Sequence, residues 1–384
     1  MTGFEILGLG TALPEHSISQ KAMATFAATC IVPEMTGSKN PGGLIEIMYR
    51  RAGVQSRHSV LLETSSDDEA TAERFFWNVK DCNDHGPGTA ERMQRFERES
   101  PGLSFRASLS AIQESAVAPE EITHLITVSC SGFCAPGFDI SLIRDLGLRQ
   151  SVARTHVGFM GCHAALNALR VAHAFASADP NAIILVCAVE LCTLHHQYGW
   201  DPQRIVANSL FADGAAAIVG RSGGKSKDRP QNVEGANSAA HRAMPGHLID
   251  SASFVIPGTD EMMTWRVGNN GFEMSLSPEV PGVITRMLPE VLGQFLGRHG
   301  LEMNEIQSWA IHPGGPRILA ATAEAADLSE VQMSPSLDVF QTCGNMSSPT
   351  VLFILDSLRK RNSQLPCVML GFGPGLNVEM ALLM

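Results

Sequence analysis

Apolar and polar positions along the chain alternate in two rhythms. Short runs such as LITVSC, AIILVCAVE, SWAI and CVMLG are continuously apolar and stop at Gly, Ser or Pro, the pattern of strands buried on both faces. Longer runs, GCHAALNALRVAHAF and GNMSSPTVLFILDSLRK, open on a glycine and a polar residue and continue for about four helical turns. Strands alternating with such helices predict an α/β protein with mixed, mainly parallel sheets covered on both faces.

The pattern also repeats. VAPEEITHLITVSCSG, ending at Gly132, has a counterpart in LEMNEIQSWAIHPGG, ending at Gly315. In both, an amphipathic helical stretch with a Glu-Ile pair is expected to lead into a buried strand. Glu121 against Glu305 gives an offset of 184 (305 − 121), and Gly161 against Gly344 gives 183 (344 − 161). Two offsets this close predict a duplicated half of αβαβα type. The N-terminal half, 1–225, would carry Cys162, and the C-terminal half, 226–384, would carry His312 and Asn345. The polar segment GRSGGKSKDRPQNVEGANS, 220–238, is the natural join, and the charged region from Glu63 to Glu99 reads as an exposed helical excursion.

Composition narrows the function. The 384 residues are 44% hydrophobic and 17% charged, enough for a large core, and the formal charge of -11 argues against a nucleic-acid partner. No segment reaches the roughly 20 apolar residues that a bilayer span requires, and MTGFEILGLGTALP lacks a secretory pattern. A cytoplasmic location is therefore expected. Nine cysteines, several inside apolar strands, read as reduced thiols rather than a disulfide framework.

Three residues carry the candidate chemistry. Under the duplication Cys162 and Asn345 occupy equivalent places, each expected just inside a helix start, and a pseudo-twofold axis would bring both to one centre. Free N–H groups and the helix dipole there would favour a thiolate at Cys162. His312, at the end of an apolar strand and fixed by Pro313, is the candidate base. Asn345 could serve as a helix N-cap or as an uncharged donor to an oxygen that gains charge.

FMGCHAA, SLFADGAAAIVG, WAIHPGG, GNMSSPTVLFILD and GFGPGLNVEMALL together resemble the type III polyketide synthases, the chalcone and stilbene synthase family, in that family's order. The resemblance implies a thiolase-like fold, a homodimer, and a Cys162, His312 and Asn345 triad that loads a starter acyl-CoA. The acyl group would then be extended by decarboxylative condensation with malonyl-CoA to pyrone, resorcinol or chalcone-type products. CoA thioesters are the substrates, and neither metal nor other cofactor is implied. Phe211 matches a gatekeeper between the CoA tunnel and the cavity. Met274 stands where plant members carry a second gatekeeper phenylalanine. Cys130 and His195 fall at pocket positions that are threonine in plant chalcone synthases, and Cys130 and Met274 together suggest a site that tolerates linear acyl chains. Arg51, Arg57 and Arg317 are the candidates for holding CoA phosphates, with Arg50 in the same segment.

Other readings fit less well. GLGTAL lacks the third glycine of a dinucleotide fingerprint. Cys187, Cys192, His195 and His196 lack the paired spacing of a zinc site. The alternatives that remain are a β-ketoacyl-ACP synthase III type of condensing enzyme and a non-catalytic acyl-binding member.

Overall fold

The structure, a computed structural model, describes residues 3–32, 34, 41–64, 70–72, 75–223 and 246–384. Its centre is a nine-stranded mixed sheet. Across it run Ser308–Ile311, Cys367–Gly373, Asn377–Leu383, His247–Val255, Phe4–Ala12, Asp213–Ser222, Ile183–Leu191, His124–Ser129 and Ala153–Gly158.

This sheet contains the predicted repeat. His124–Ser129 pairs parallel with Ile183–Leu191, which pairs antiparallel with Asp213–Ser222, which pairs antiparallel with Phe4–Ala12. Ser308–Ile311, Cys367–Gly373, Asn377–Leu383 and His247–Val255 repeat the same series of senses. The two halves join where Phe4–Ala12 meets His247–Val255. The edge strand Ala153–Gly158 has no counterpart, because the second half places the helix Glu330–Cys343 at that point of the chain.

The Glu-Ile pairs have a local cause. Each lies at a single 3-10 turn, Pro119–Glu121 and Met303–Glu305, rather than in the longer amphipathic helix expected. The Glu121 carboxylate accepts from the Ala118 N–H at 3.0 Å and that of Glu305 from the Glu302 N–H at 2.8 Å, so the same capping contact sets the entry to both strands.

Helices form the remaining layers. Ala164–Ala178 and Thr350–Lys360 share one core cluster with strands of both halves, Ala-rich on the first helix so that backbones approach closely. Outside lie Thr89–Ser115 on one half and Val280–Gly297 with Pro316–Ala325 on the other. The glycines of GLGTAL serve this packing: a Cβ on Gly8 or Gly10 would stand 2.2 Å from the carbonyl oxygen of Ala111 or Ala107. Such contacts leave no room for any side chain.

Two expectations need adjustment. The nine-stranded sheet is mixed but not mainly parallel, since five of its eight strand pairings are antiparallel. The Glu63–Glu99 region is not an exposed excursion as a whole. It ends in the first turns of Thr89–Ser115, where Arg92 and Phe96 are fully buried. Residues 65–69 and 73–74 of that region, most of the 220–238 join and the boundary between 225 and 226 lie outside the described residues.

Candidate active site

Cys162 sits in a sharp turn rather than inside a helix. The helix Ala164–Ala178 begins two residues later, capped by His163. Phe159 at φ 59 and Gly161 at φ 84 both occupy left-handed backbone, and a Cβ on Gly161 would meet Pro374 Cδ at 2.4 Å. A non-glycine residue held in that region beside a thiol is the kind of stored strain that marks functional turns.

Asn345 reaches the same place from the second half. Its N–H donates to Leu210 O at 2.9 Å, and its own carbonyl accepts from the Ala212 N–H at 2.9 Å. The side-chain oxygen accepts from the Ser347 N–H at 2.8 Å. That bond orients the amide, because an oxygen so engaged leaves the NH₂ group to face elsewhere. Hydrogen bonds from Ser347 and Asn345 lower the Cys162 pKa, which puts both side chains within reach of the sulfur. Asn345 caps no helix: the next one, Thr350–Lys360, has Pro349 at its cap.

His312 follows the strand Ser308–Ile311, and its N–H donates to Leu370 O at 2.8 Å. The ring is 1% exposed, and neither ring nitrogen has a hydrogen-bond partner, so no bond joins it to Cys162 here. Burial, with a smaller contribution from His163, pushes its pKa down to about 3. A buried imidazole without a partner is uncommon enough to require a functional reason.

The thiol also departs from expectation. Burial pushes Cys162 up to about 11, against the lowering hydrogen bonds of Ser347 and Asn345, and the nearby Glu190 carboxylate adds to the rise. Both displacements favour a neutral thiol and a neutral imidazole over a thiolate and imidazolium. Desolvation outweighs the favourable dipole of the following helix.

Cys162 opens on a cavity of about 30 Å³ whose lining includes Cys130, Glu190, Phe211, Trp265, Met274 and Ser347. A second cavity of about 20 Å³ shares Phe211, Trp265 and Met274 and adds His195 and Phe272. The four predicted pocket residues, Cys130, His195, Phe211 and Met274, thus all line these spaces. His195 is locked as the Nε2–H tautomer: Nε2 donates to Ser131 O at 2.7 Å and Nδ1 accepts from the Phe272 N–H at 2.9 Å.

Sequence reasoning missed two residues here. Trp265 lies across the strand pair from Met274, and its indole N–H donates to Cys130 O at 2.8 Å. Its ring stands edge-on to His195 and Phe272 and so fills the space between the cavities. Glu190 is fully buried and accepts from the N–H groups of Cys130 and Ser131, both at 2.9 Å, and from the hydroxyls of Ser131 at 2.6 Å and Ser348 at 2.7 Å. A carboxylate inside the apolar run AIILVCAVE was the available signal, since a charge in a buried strand requires a donor network.

A larger groove of about 500 Å³ lies outside this pair, lined by Arg51 and Arg317 with Met48, Val206, Leu210 and Ile318 among the apolar walls. Leu210 faces the groove and the next residue, Phe211, faces the inner cavities, so one turn of chain separates the two spaces. Arg57 is a correction. It is 0% exposed and donates to the carbonyls of Asn208 at 2.9 Å, Ser209 at 2.6 Å and Phe211 at 2.7 Å, so it braces this partition and cannot face a phosphate. Among the described residues no group of three or more His, Cys, Asp or Glu side chains is placed to hold a metal ion, and no helix is long and apolar enough to cross a membrane.

The chain belongs to the chalcone and stilbene synthase family: residues 3–223 match the N-terminal domain of chalcone and stilbene synthases and residues 247–384 match the C-terminal domain. It is a type III polyketide synthase, an acyl-transferring condensing enzyme that uses acyl-CoA and malonyl-CoA. It is 32% identical over 295 residues to the alpha-pyrone synthesis polyketide synthase-like Pks18 of Mycobacterium tuberculosis, covering 75% of this chain and 72% of that one. It is 29% identical to the 1,3,6,8-tetrahydroxynaphthalene synthase of Streptomyces peucetius, over 99% of this chain and 93% of that one. Among solved structures, PKS-I from the brown alga Ectocarpus siliculosus superposes with a TM-score of 0.85 at 26% identity, over 100% of this chain and 98% of that one.

Proposed function

We propose that Cys162 is the nucleophile, His312 the general base and Asn345 the enolate-stabilising donor of this synthase. The observation that carries the reading is the convergence of a thiol on a strained turn with an amide whose oxygen is already engaged by Ser347 N–H. Because both partners rest neutral, His312 takes the thiol proton as the sulfur attacks the starter thioester, and the departing CoA thiolate is then protonated. Malonyl-CoA next loses CO₂, and the Asn345 NH₂ and His312 stabilise the oxygen charge of the enolate. Its carbon attacks the acyl-cysteine and releases the lengthened chain from Cys162.

Variants of the two donors test this division of labour. His312→Ala and Asn345→Ala should each depress malonyl-CoA decarboxylation, by about 10²–10³ if each supplies one such donor. Asn345→Asp should be no better, because it sets a negative charge beside the enolate. Decarboxylation unchanged in all three would reject the assignment.

Arg51 and Arg317 are proposed to hold CoA phosphates at the outer groove, with Phe211 and Met274 at the inner entrance. Aliphatic starters should be used in preference to coumaroyl-CoA, because the small Cys130 thiol and the flexible Met274 chain that line the cavity make way for a linear acyl chain more easily than for a rigid phenolic ring. Competition between the two starter classes at equal concentration decides this, and preference for coumaroyl-CoA would contradict it.

The working form is proposed to be a cytoplasmic homodimer, with the halves joined near 225. The nine free cysteines are consistent with a reducing compartment. Phe133, Phe159 and Met160 are 57%, 41% and 40% exposed beside the edge strand Ala153–Gly158, an apolar surface suited to a second copy. Sedimentation as a monomer at micromolar concentration would rule the dimer out.

A further inference from the structure

Three thiols, Cys130, Cys162 and Cys192, line the one cavity that holds the proposed nucleophile. Their positions are not equivalent. The Cys130 sulfur accepts from the Gly161 N–H at 3.0 Å and donates to Gly161 O at 3.4 Å. It therefore rests on the peptide that leads directly into Cys162; a charge on Cys162 raises the cost of ionising Cys130 and Cys192 alike, so it is this backbone contact that sets Cys130 apart. Cys192 lines the same cavity but, among the described residues, makes no hydrogen bond to the 159–163 turn. Carbonyl acyl transfer uses one of these sulfurs.

We propose that Cys130 is a resolving cysteine for Cys162, which makes the pair a reversible oxidation site for hydroperoxides small enough to enter the cavity. In the first step the Cys162 sulfur attacks the peroxide and breaks its O–O bond. Cys162 becomes a sulfenic acid, and the peroxide leaves as an alcohol, or as water if it is hydrogen peroxide. In the second, the Cys130 sulfur attacks the sulfenic sulfur, the S–O bond breaks, and the Cys130 proton leaves with the hydroxyl as water. The product is a Cys130–Cys162 disulfide, two electrons more oxidised than the dithiol. The enzyme is silenced while the nucleophile is masked, and a thiol reductant restores both groups. Without a resolving thiol the sulfenic acid proceeds to sulfinic acid, which thiol reductants do not reverse. The left-handed Gly161 between the two sulfurs is a pivot able to absorb the small backbone change.

This inference rests on Cys162 being the reactive thiol of the synthase, yet its test needs no turnover. The full chain is exposed to hydrogen peroxide, its remaining thiols are alkylated, and it is digested without reductant for peptide mass spectrometry. The expected result is a cross-linked pair of peptides carrying Cys130 and Cys162, which dithiothreitol returns to two free thiols. Cys192→Ser should keep the cross-link. Cys130→Ser, which preserves size and hydrogen-bonding ability, should lose it and accumulate sulfinic acid at Cys162. Wild-type protein in which Cys162 stays a free thiol, becomes sulfinic acid without a cross-link, or pairs with Cys192 overturns the proposal, whether or not Cys130→Ser folds. Failure of acyl-CoA to label Cys162 would instead remove the nucleophile assignment, a separate result read on untreated protein.

Discussion

The neutral resting state of Cys162 can be tested by alkylation as a function of pH. Burial and the Glu190 carboxylate move the thiol from 9.0 to about 11, against the opposing bonds from Ser347 and Asn345. Two pKa units reduce the thiolate present at neutral pH about a hundredfold, equivalent to about 2.7 kcal/mol. Iodoacetamide acts on the thiolate, so the rate constant at Cys162 should fall about a hundredfold below that of an unperturbed cysteine at pH 7 and rise about tenfold per pH unit, with no plateau before pH 9. The peptide carrying Cys162 is followed by mass spectrometry so that exposed Cys82 does not contribute. Two substitutions should move the profile in opposite directions. Glu190→Gln removes a negative charge and should speed alkylation, whereas Asn345→Ala removes a donor to the sulfur and should slow it. A rate that levels off between pH 6 and 7 would show a standing thiolate–imidazolium pair and refute the argument.

Two further outcomes follow from the same geometry. His195, His196 and His312 are each depressed from 6.5 to about 3 by burial, so between those values the folded state holds fewer protons than the unfolded chain and stability falls as pH is lowered; Asp213, raised from 3.8 to about 6 by burial, acts in the opposite sense and offsets about one histidine. His156 and His163 are lowered as well and Glu190 is raised, so the histidines still outnumber the opposing carboxylates; urea unfolding should show stability falling as pH drops below 6, and a flat profile from pH 7 to 4.5 would contradict this. Arg51→Ala and Arg317→Ala should each raise KM for malonyl-CoA about two- to fivefold, an effect that added salt diminishes, while Arg57→Ala should lower the melting temperature by leaving buried carbonyls unpaired. Equal effects of all three on KM alone would restore Arg57 to the phosphate site.

The repeat was legible in the sequence because its cause is local: Glu121 and Glu305 make the same capping bond, so the same letters recur before the same strands. The meeting of Cys162 and Asn345 at one place was legible through the duplication, and the lining of the inner cavities by Cys130, His195, Phe211 and Met274 through the family resemblance. What the sequence could not convey was long-range. The burial that raises Cys162 and lowers His312 comes from elements far apart in the chain. The role of Arg57 depends on carbonyls more than 150 residues away, and a basic run reads the same whether it faces a ligand or a partition. Trp265 escaped notice for the same reason: an alternating hairpin shows which side chains share a face, not that this face closes a cavity.

The central claim is that Cys162 is the nucleophile that carries the starter acyl group. Wild-type protein incubated with an aliphatic acyl-CoA and no malonyl-CoA, then acid-quenched and digested, should show the acyl mass on the peptide containing Cys162 and on no other cysteine peptide. Cys162→Ala should show none and form no polyketide, while keeping the wild-type unfolding transition. An acyl group found at Cys130 or Cys192 instead, or polyketide formed by the Cys162→Ala protein, would contradict the account.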